Sequence, residues 1–592
     1  MKVMLLFPPN WNPAMPHLAL PTLTAFLRGH GVEVIQRDLN IEVFDEVLTR
    51  RYVEGALARL RHDYGTHGDH EPPRPVAAPR DMVAWALARG PQVAARVEQA
   101  KRMIRSQAFF DGPIGLSALE TIVEALQIAS LPFFPAALQI STYHPALTAD
   151  STHNILREAR DPRFNMLLEL YRRGVIADIE REQPDLVGIS IPSMAQMLPG
   201  MTIAALIKEH GLPCHVTVGG PHITMLRERL AHAPALFELI DSAVVFDGEV
   251  PLLRLCETLD SDGDLSGVPN LIYRDGDTIR ATERKAPEKI GALPLPDFAG
   301  LPLDRYLAPR LALPLLTARG CYYGKCAFCN VGYGEPESFS LMRSEMLAEQ
   351  MITLKRTYGV EEIFFSDEAL TPRTLRELSQ IFKRDGTPLL WGGCARFERP
   401  LTGELLNLMY EGGCRMILFG LESASEAIMQ RMLKGTQLDN MHRILEQSTT
   451  AGIWNHTFFF FGFPGETLDD AQQTVNFLYQ HKQHINSAAF GTFLLEIDAP
   501  AHRAPASFGI THVIEQPEKD LAIYFDYETA QGMDAQMAEL VESRFLESLP
   551  KKRFAQFYVN DVYRFLFACY LSRIGHPMPP WLMEEDEVVS GR

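Results

Sequence analysis

Three of the chain's eight cysteines, Cys321, Cys326 and Cys329, fall within the stretch "TARGCYYGKCAFCN", spaced C-x4-C-x2-C. Thiolates bind metals, exchange disulfides and attack electrophiles, so this clustering calls for chemistry that uses sulfur. Four readings compete. A structural zinc site needs a fourth ligand, usually from a second Cys or His pair, and none follows at finger-like spacing. A redox C-x-x-C pair employs Cys326 and Cys329 and leaves Cys321 idle. Ordinary core cysteines would not gather in a loop rich in Gly and Tyr. A [4Fe–4S] cluster held by three thiolates uses all three and leaves one iron open, and open coordination distinguishes a catalytic metal from a closed structural one.

The cysteines must be held by something rigid. They follow "ALPLLTA", the first of a series of apolar runs that alternate with helical segments: "EEIFFSDEA", "PLLWGGCAR", "RMILFGLES", "WNHTFFFFGFPGE" and "SAAFGTFLLE". Six β/α units in a row predict a partial barrel over residues 311–510, with its chemistry at the C-terminal strand ends. An earlier α/β series occupies residues 1–265, with strands "KVMLLFPP", "VEVIQRDLN", "PDLVGISIPS", "PCHVTVGGPHIT" and "SAVVFDGEVP". Continuous apolar runs suit strands buried on both faces of a doubly wound, Rossmann-like parallel sheet. Residues 41–180 interrupt this series as a helical insertion, broken by the polar stretch "HGDHEPPRPVAAPR". A hairpin, "NLIYRDGDTIRAT", and a Pro-rich linker fill 266–310, and 511–592 reads as a helical C-terminal domain with an aromatic stripe at 554–570 that suits a core.

Composition narrows the function classes. The 592-residue chain carries 56 Lys and Arg against 74 Asp and Glu, a formal net charge of -18. A broad nucleic-acid surface needs concentrated basic residues, so no nucleic-acid partner is expected. The opening "MKVMLLFPP" is too short for a signal-peptide core, and no apolar run is expected to span a membrane. The resulting expectation is a cytoplasmic protein, where cysteines serve metals or catalysis more often than disulfides.

"RGCYYGKCAFCN" resembles the cluster loop of the radical S-adenosylmethionine (radical SAM) superfamily, with Phe328 as the aromatic before the last cysteine. The usual family spacing is C-x3-C-x2-C; one extra residue separates the first two cysteines here. The resemblance extends along 311–470. It implies that Ser366, Asp367 and Glu368 hold the methionine amino group, that Arg396 meets substrate or the SAM carboxylate, and that Glu422 and Ser423 in "FGLESAS" face the ribose or amino acid. Gly462 and Pro464 in "FFGFPGET" would pack near adenine. Cys394, two residues before Arg396, would share its direction along the strand and line the pocket or donate a hydrogen atom; the alternative is a small residue filling the barrel interior.

The first α/β series resembles the cobalamin-binding domain that precedes many radical SAM barrels. The matching residues are Pro8, Pro9, Ser190, Ser193, Gly219, Gly220, His222, Thr224, Gly248 and Glu249. Glycines 219 and 220 would let the backbone approach a bulky ligand. The Asp-x-His-x-x-Gly motif that supplies cobalt with a histidine is absent, and His222 lies on a different loop. Together the resemblances imply three cofactors, a [4Fe–4S] cluster, S-adenosylmethionine and cobalamin, and an electron donor such as flavodoxin or ferredoxin. The implied reaction is methylation of an unactivated carbon through a 5′-deoxyadenosyl radical and methylcobalamin. The substrate class stays open among small molecules, lipids and peptides. Radical cyclisation or ring rearrangement is the runner-up. A methylthiotransferase acting on RNA fits the acidic balance less well. A non-enzymatic cobalamin or metal sensor would leave "FSDEA", "GLES" and "GFPGE" without a purpose.

Overall fold

The computed structural model describes residues 1–65, 77–334, 339–386, 389–549 and 560–582. They form two compact units: one of Met1–Glu288, Leu293–Arg310 and Gln516–Ala522, the other of Lys289–Ala292, Leu311–Glu515 and Ile523–Arg592.

The first unit is built on a seven-stranded sheet. Five strands are parallel, ordered Glu33–Asp38, Lys2–Phe7, Leu186–Ser190, His215–Gly219 and Ser242–Val244. Leu186–Ser190 is buried throughout, as a strand covered on both faces must be. Val3, Leu5 and Phe7 pack against Leu20, Phe26 and Leu27 of the first helix and Leu252 and Leu255 of the last. This 2-1-3-4-5 order has its switch point between Lys2–Phe7 and Leu186–Ser190, where open α/β sheets bind ligands. The hairpin expected as a separate element belongs to this sheet instead. Leu271–Asp275 pairs antiparallel with Ser242–Val244, and Thr278–Ala281 extends it. An exposed edge strand is a template, and the alternating hairpin sequence fits it.

Helices Leu39–Val47, Arg50–Gly65, Arg80–Ile104 and Gly112–Ser130 lie between the second and third parallel strands in the chain. A methyl group on Gly90 would sit 2.4 Å from Leu57, so two of these helices approach closely. Against the expectation from sequence, Gly112–Phe133 is long and apolar enough to cross a membrane by length and composition. In this fold it packs against Arg50–Gly65 and Arg80–Ile104, with 61% of its apolar window buried. The polar stretch 67–80 lies largely outside the described residues.

The second unit holds six parallel strands in chain order: Ala312–Leu315, Glu362–Phe365, Leu390–Ala395, Cys414–Glu422, Trp454–Phe461 and Ser487–Thr492. Side-chain caps start the intervening helices. Thr371 Oγ1 accepts from Thr374 N ahead of Pro372, and Thr402, Ser425 and Thr467 cap the same way. The C-terminal segment is not a helical domain of its own. Ile510–Ile514 and Tyr524–Thr529 pair as antiparallel strands, because their β-branched and aromatic residues alternate with polar ones. Helix Asp561–Ile574 packs on the sheet face carrying Phe364, Gly392 and Trp454: Phe565 lies 5.5 Å from Phe364 and Phe567 5.9 Å from Trp454, ring to ring. Gly392 makes room, since a Cβ there would sit 3.0 Å from Phe565. Of the aromatic stripe, 554–559 lies outside the described residues, while Phe565 and Phe567 are core.

Candidate active site

The cysteine loop leaves the end of strand Ala312–Leu315 and is anchored at both sides. Ala318–Arg319 pairs with Ser340–Leu341, Ala327 N donates to Met432 O, and Ala501 N donates to Ala327 O. Asp367 fixes the start of the loop. Its buried carboxylate accepts from Thr317 N and Oγ1 and from Ala318 N at 2.6–3.0 Å. Burial still pushes its pKa up to about 6. All of these donors are loop backbone or Thr317, so Asp367 positions the start of the cysteine loop.

Arg396 grips the same loop. Its guanidinium donates to Glu398 (2.9 Å) and to Lys434 O, stacks 3.6 Å over the Tyr323 ring, and places NH1 3.7 Å from Cys326 Sγ. A 6% exposed guanidinium with these partners holds the loop. Burial raises the thiol of Cys326 and takes that of Cys329 to about 12. Thiolates here therefore need cationic company, and Lys434 and Arg396 supply it at Cys326.

Glu422 behaves as an active-site residue does. It sits at a positive φ of 60°, where a register irregularity breaks the fourth strand's pairing, and its carboxylate pairs with Lys434 Nζ at 2.7 Å. Left-handed backbone at a non-glycine residue is costly and collects at functional sites. Gly420 permits the pair: a Cβ there would lie 2.4 Å from Glu422 Oε1 and 2.6 Å from Lys434 Nζ. Lys434 also stands 5.7 Å from the centre of the Phe328 ring, and Phe328 packs edge-on against Phe460. Ser366 and Glu368 are exposed at the end of the second strand. Desolvation by the surrounding protein nonetheless raises the Glu368 carboxyl.

Ser423 turns away, with its hydroxyl 3.2 Å from Thr474 Oγ1. Gly462 and Pro464 shape a turn held by Glu466, which accepts from Gly462 N at 2.5 Å, and by Arg431, which donates to Pro464 O at 3.0 Å. Glu466 is fully buried, and that burial lifts its carboxyl to about 7. Cys394 is in register with Leu418, and Leu418 with His456, so the three share one layer on the face that helix Asp561–Ile574 covers. Burial, with Asp561, Glu368 and Glu422 nearby, holds the Cys394 thiol far above its ordinary value. Sequence reasoning missed Tyr323, Lys434, His456 and Asp561. Gly435, the residue after Lys434, makes room for Tyr323: it has φ +69°, and a Cβ there would lie 2.4 Å from the Tyr323 hydroxyl.

In the first unit the predicted residues diverge. Gly219 and Gly220 serve packing: a Cβ on Gly220 would lie 2.8 Å from Ile191 O, and one on Gly219 3.2 Å from Val244 O. Thr224 is consumed by Gly220 O and Phe246 N, and Gly248 abuts Leu23. Glu249 is buried. Pro8, Pro9, Ser190 and Ser193 line the switch point; Gln196 joins them by donating to Pro8 O at 2.7 Å and accepting from Ser193 at 3.2 Å. His222 is fully buried with both ring nitrogens lacking a partner, as is Asn10 Oδ1.

Residues 315–478 match the family model of the radical SAM superfamily. Those residues, within the second unit's six-stranded sheet, carry a radical SAM domain. The chain is 27% identical over 345 residues to an uncharacterized methyltransferase of Pyrococcus horikoshii, covering 57% of this chain and 74% of the relative. It is 24% identical over 306 residues to an anaerobic magnesium-protoporphyrin IX monomethyl ester cyclase of Rubrivivax gelatinosus, covering 49% of this chain and 53% of the relative. Among solved structures, the cobalamin-dependent S-adenosylmethionine radical enzyme OxsB, with aqua-cobalamin and S-adenosylmethionine bound, superimposes with a TM-score of 0.52 at 16% identity over 75% of each chain. The chain therefore shares its fold with a cobalamin-dependent S-adenosylmethionine radical enzyme.

Proposed function

We propose that the chain is a cobalamin-dependent radical SAM methyltransferase that acts on an unactivated carbon of a small molecule. One observation supports this most: the three thiols lie on a single loop beside two cations and the Glu422–Lys434 pair, at the C-terminal end of six parallel strands. The donor set fits an iron–sulfur cluster, since three sulfurs need positive charge to ionise and Arg396 and Lys434 already lean toward Cys326. Cys321, Cys326 and Cys329 hold the cluster. Ser366, Glu368, Glu422, Phe328 and the Gly462–Pro464 turn hold S-adenosylmethionine. The first unit fits cobalamin at its switch point, where Pro8, Pro9, Ser190 and Ser193 converge and the orphaned Oδ1 of Asn10, just after the first strand, awaits a partner.

When bound, the cluster and S-adenosylmethionine supply a 5′-deoxyadenosyl radical on one-electron reduction by a flavodoxin or ferredoxin, and cobalamin supplies the methyl group. The chain's own share is positioning. Asp367 and Arg396 fix the cysteine loop, Lys434 neutralises Glu422, and Cys394 fills the layer between the sheet and helix Asp561–Ile574. Radical cyclisation is a second reading, favoured by the likeness to the magnesium-protoporphyrin ester cyclase.

Anaerobically reconstituted protein, incubated with substrate extracts, reductant and S-adenosylmethionine bearing a trideuterated methyl group, tests the choice. A product gaining seventeen mass units supports methyl transfer, roughly one CD3 for one H. A product of unchanged carbon count supports cyclisation.

A further inference from the structure

Helix Leu438–Ala451 carries His442 and Glu446 one turn apart, on one face. Opposite them, helix Leu468–Gln480 ends and the chain turns through "HKQH", with His484 N donating to His481 O at 2.8 Å. This i, i+3 turn aims two imidazoles at the acidic helix face. Ligand atoms of Glu446, His481 and His484 all lie within 4.8 Å of one another. His481 is 2% exposed, and its Nδ1 has no hydrogen-bond partner; the buried Nδ1 of His484 has none either. Unpaired buried nitrogens cost free energy, so a pair of them facing one carboxylate calls for an occupant. The other nitrogen of His481 is engaged by His442 Nδ1, which fixes its ring orientation. That is how histidine ligands are commonly held.

We propose that Glu446, His481 and His484 bind a divalent zinc-type ion, with His442 orienting His481 and water completing the coordination. Donors on a tetrahedral ion stand roughly 3.3 Å apart. Rotation of the exposed Glu446 and of the imidazoles closes the remaining distance. Two nitrogens and one carboxylate match a zinc donor set, and no thiol is involved, so the ion differs in kind from the cluster iron. Its place also differs. His484 O accepts from Asn455 Nδ2 at 2.8 Å at the start of strand Trp454–Phe461, whereas the cysteines lie beyond the opposite strand ends. The strand's length separates them by about 25 Å. The ion would staple helix Leu438–Ala451 to the turn after Leu468–Gln480, on the barrel face associated with stability.

The test is zinc content and affinity of the full chain with its cluster in place. After equilibration with zinc(II) and gel filtration, the parent should retain one zinc per chain. Glu446→Gln should weaken zinc binding about tenfold, and the double change His481→Ala, His484→Ala about a hundredfold or more. Iron content should stay constant in all three. Cobalt(II) in place of zinc should give the intense visible bands of a tetrahedral site in the parent alone. Should the double variant fail to fold, Glu446→Gln, at an exposed position, carries the decision. Zinc retention identical in parent and Glu446→Gln, or a parent that holds no zinc, overturns the proposal.

Discussion

The cysteine loop and the strand-end loops of the first unit were both read from motifs, yet the structure treats them differently. Around the cysteines, the predicted residues converge. Arg396 reaches Cys326, Asp367 clasps the loop's first turn, and Glu422 faces Lys434. In the first unit, Gly219, Gly220 and Thr224 are spent on holding strand ends together. A cluster is gripped by a few covalent ligands, so its motif consists of residues that do little else. A large organic cofactor is gripped by shape and backbone, so its motif is made of glycines, prolines and hydroxyls that folding itself also demands.

The sharpest way to break this contrast is at the thiols. Replacing Cys321, Cys326 or Cys329 by Ala should abolish S-adenosylmethionine cleavage and the cluster absorption, read by iron analysis and by 5′-deoxyadenosine formation. Cys256→Ala, at a buried position in the first unit, should leave both unchanged. Next in size is the buried ion pair. Lys434→Met leaves Glu422 uncompensated and should cost about 3–5 kcal/mol of stability, measured by denaturant unfolding. Gly420→Ala should also destabilise the fold, because its Cβ would occupy the space of the pair's charged atoms.

Glu466 tests whether the Gly462–Pro464 turn is built by burial. Its carboxyl binds a proton up to about pH 7 when folded, but only to its ordinary value of 4.5 when unfolded. The folded state thus holds more protons in that window, and stability falls as pH rises from 4.5 to 7. The total is about 3 kcal/mol. Glu466→Gln should lack this slope, so melting curves of parent and variant should diverge with pH. The smallest effect is expected at Ser193, whose hydroxyl already bonds Gln196: Ser193→Ala should weaken hydroxocobalamin binding by less than about threefold, roughly 0.6 kcal/mol. A hundredfold loss there would mean that the first unit grips by side chains after all.

Much of the architecture was legible because parallel strands, buried on both faces, write themselves as continuous apolar runs. The Leu271–Ala281 hairpin was visible as a hairpin, but not as part of the first sheet, since strand neighbours are set by which edge stays open. The Ile510–Ile514 and Tyr524–Thr529 strands were not legible, because the amphipathic helical patterns that follow them dominate residues 511–592. At the site, residue types carried the cysteines and Glu422 into view. The contacts of Arg396 and Asp367 with the cysteine loop were not legible, because sequence does not reveal which partner within the protein a side chain reaches. Lys434 was hidden, since its importance rests on a contact with Glu422 across a short helix.

The central claim is that the three-cysteine loop supports reductive cleavage of S-adenosylmethionine. Its most direct test is 5′-deoxyadenosine formation by the anaerobically reconstituted full chain with S-adenosylmethionine and a low-potential reductant, beside the Cys326→Ala variant. The account predicts 5′-deoxyadenosine from the parent and none from the variant. A parent carrying a complete four-iron cluster that releases no more 5′-deoxyadenosine than the variant would contradict it.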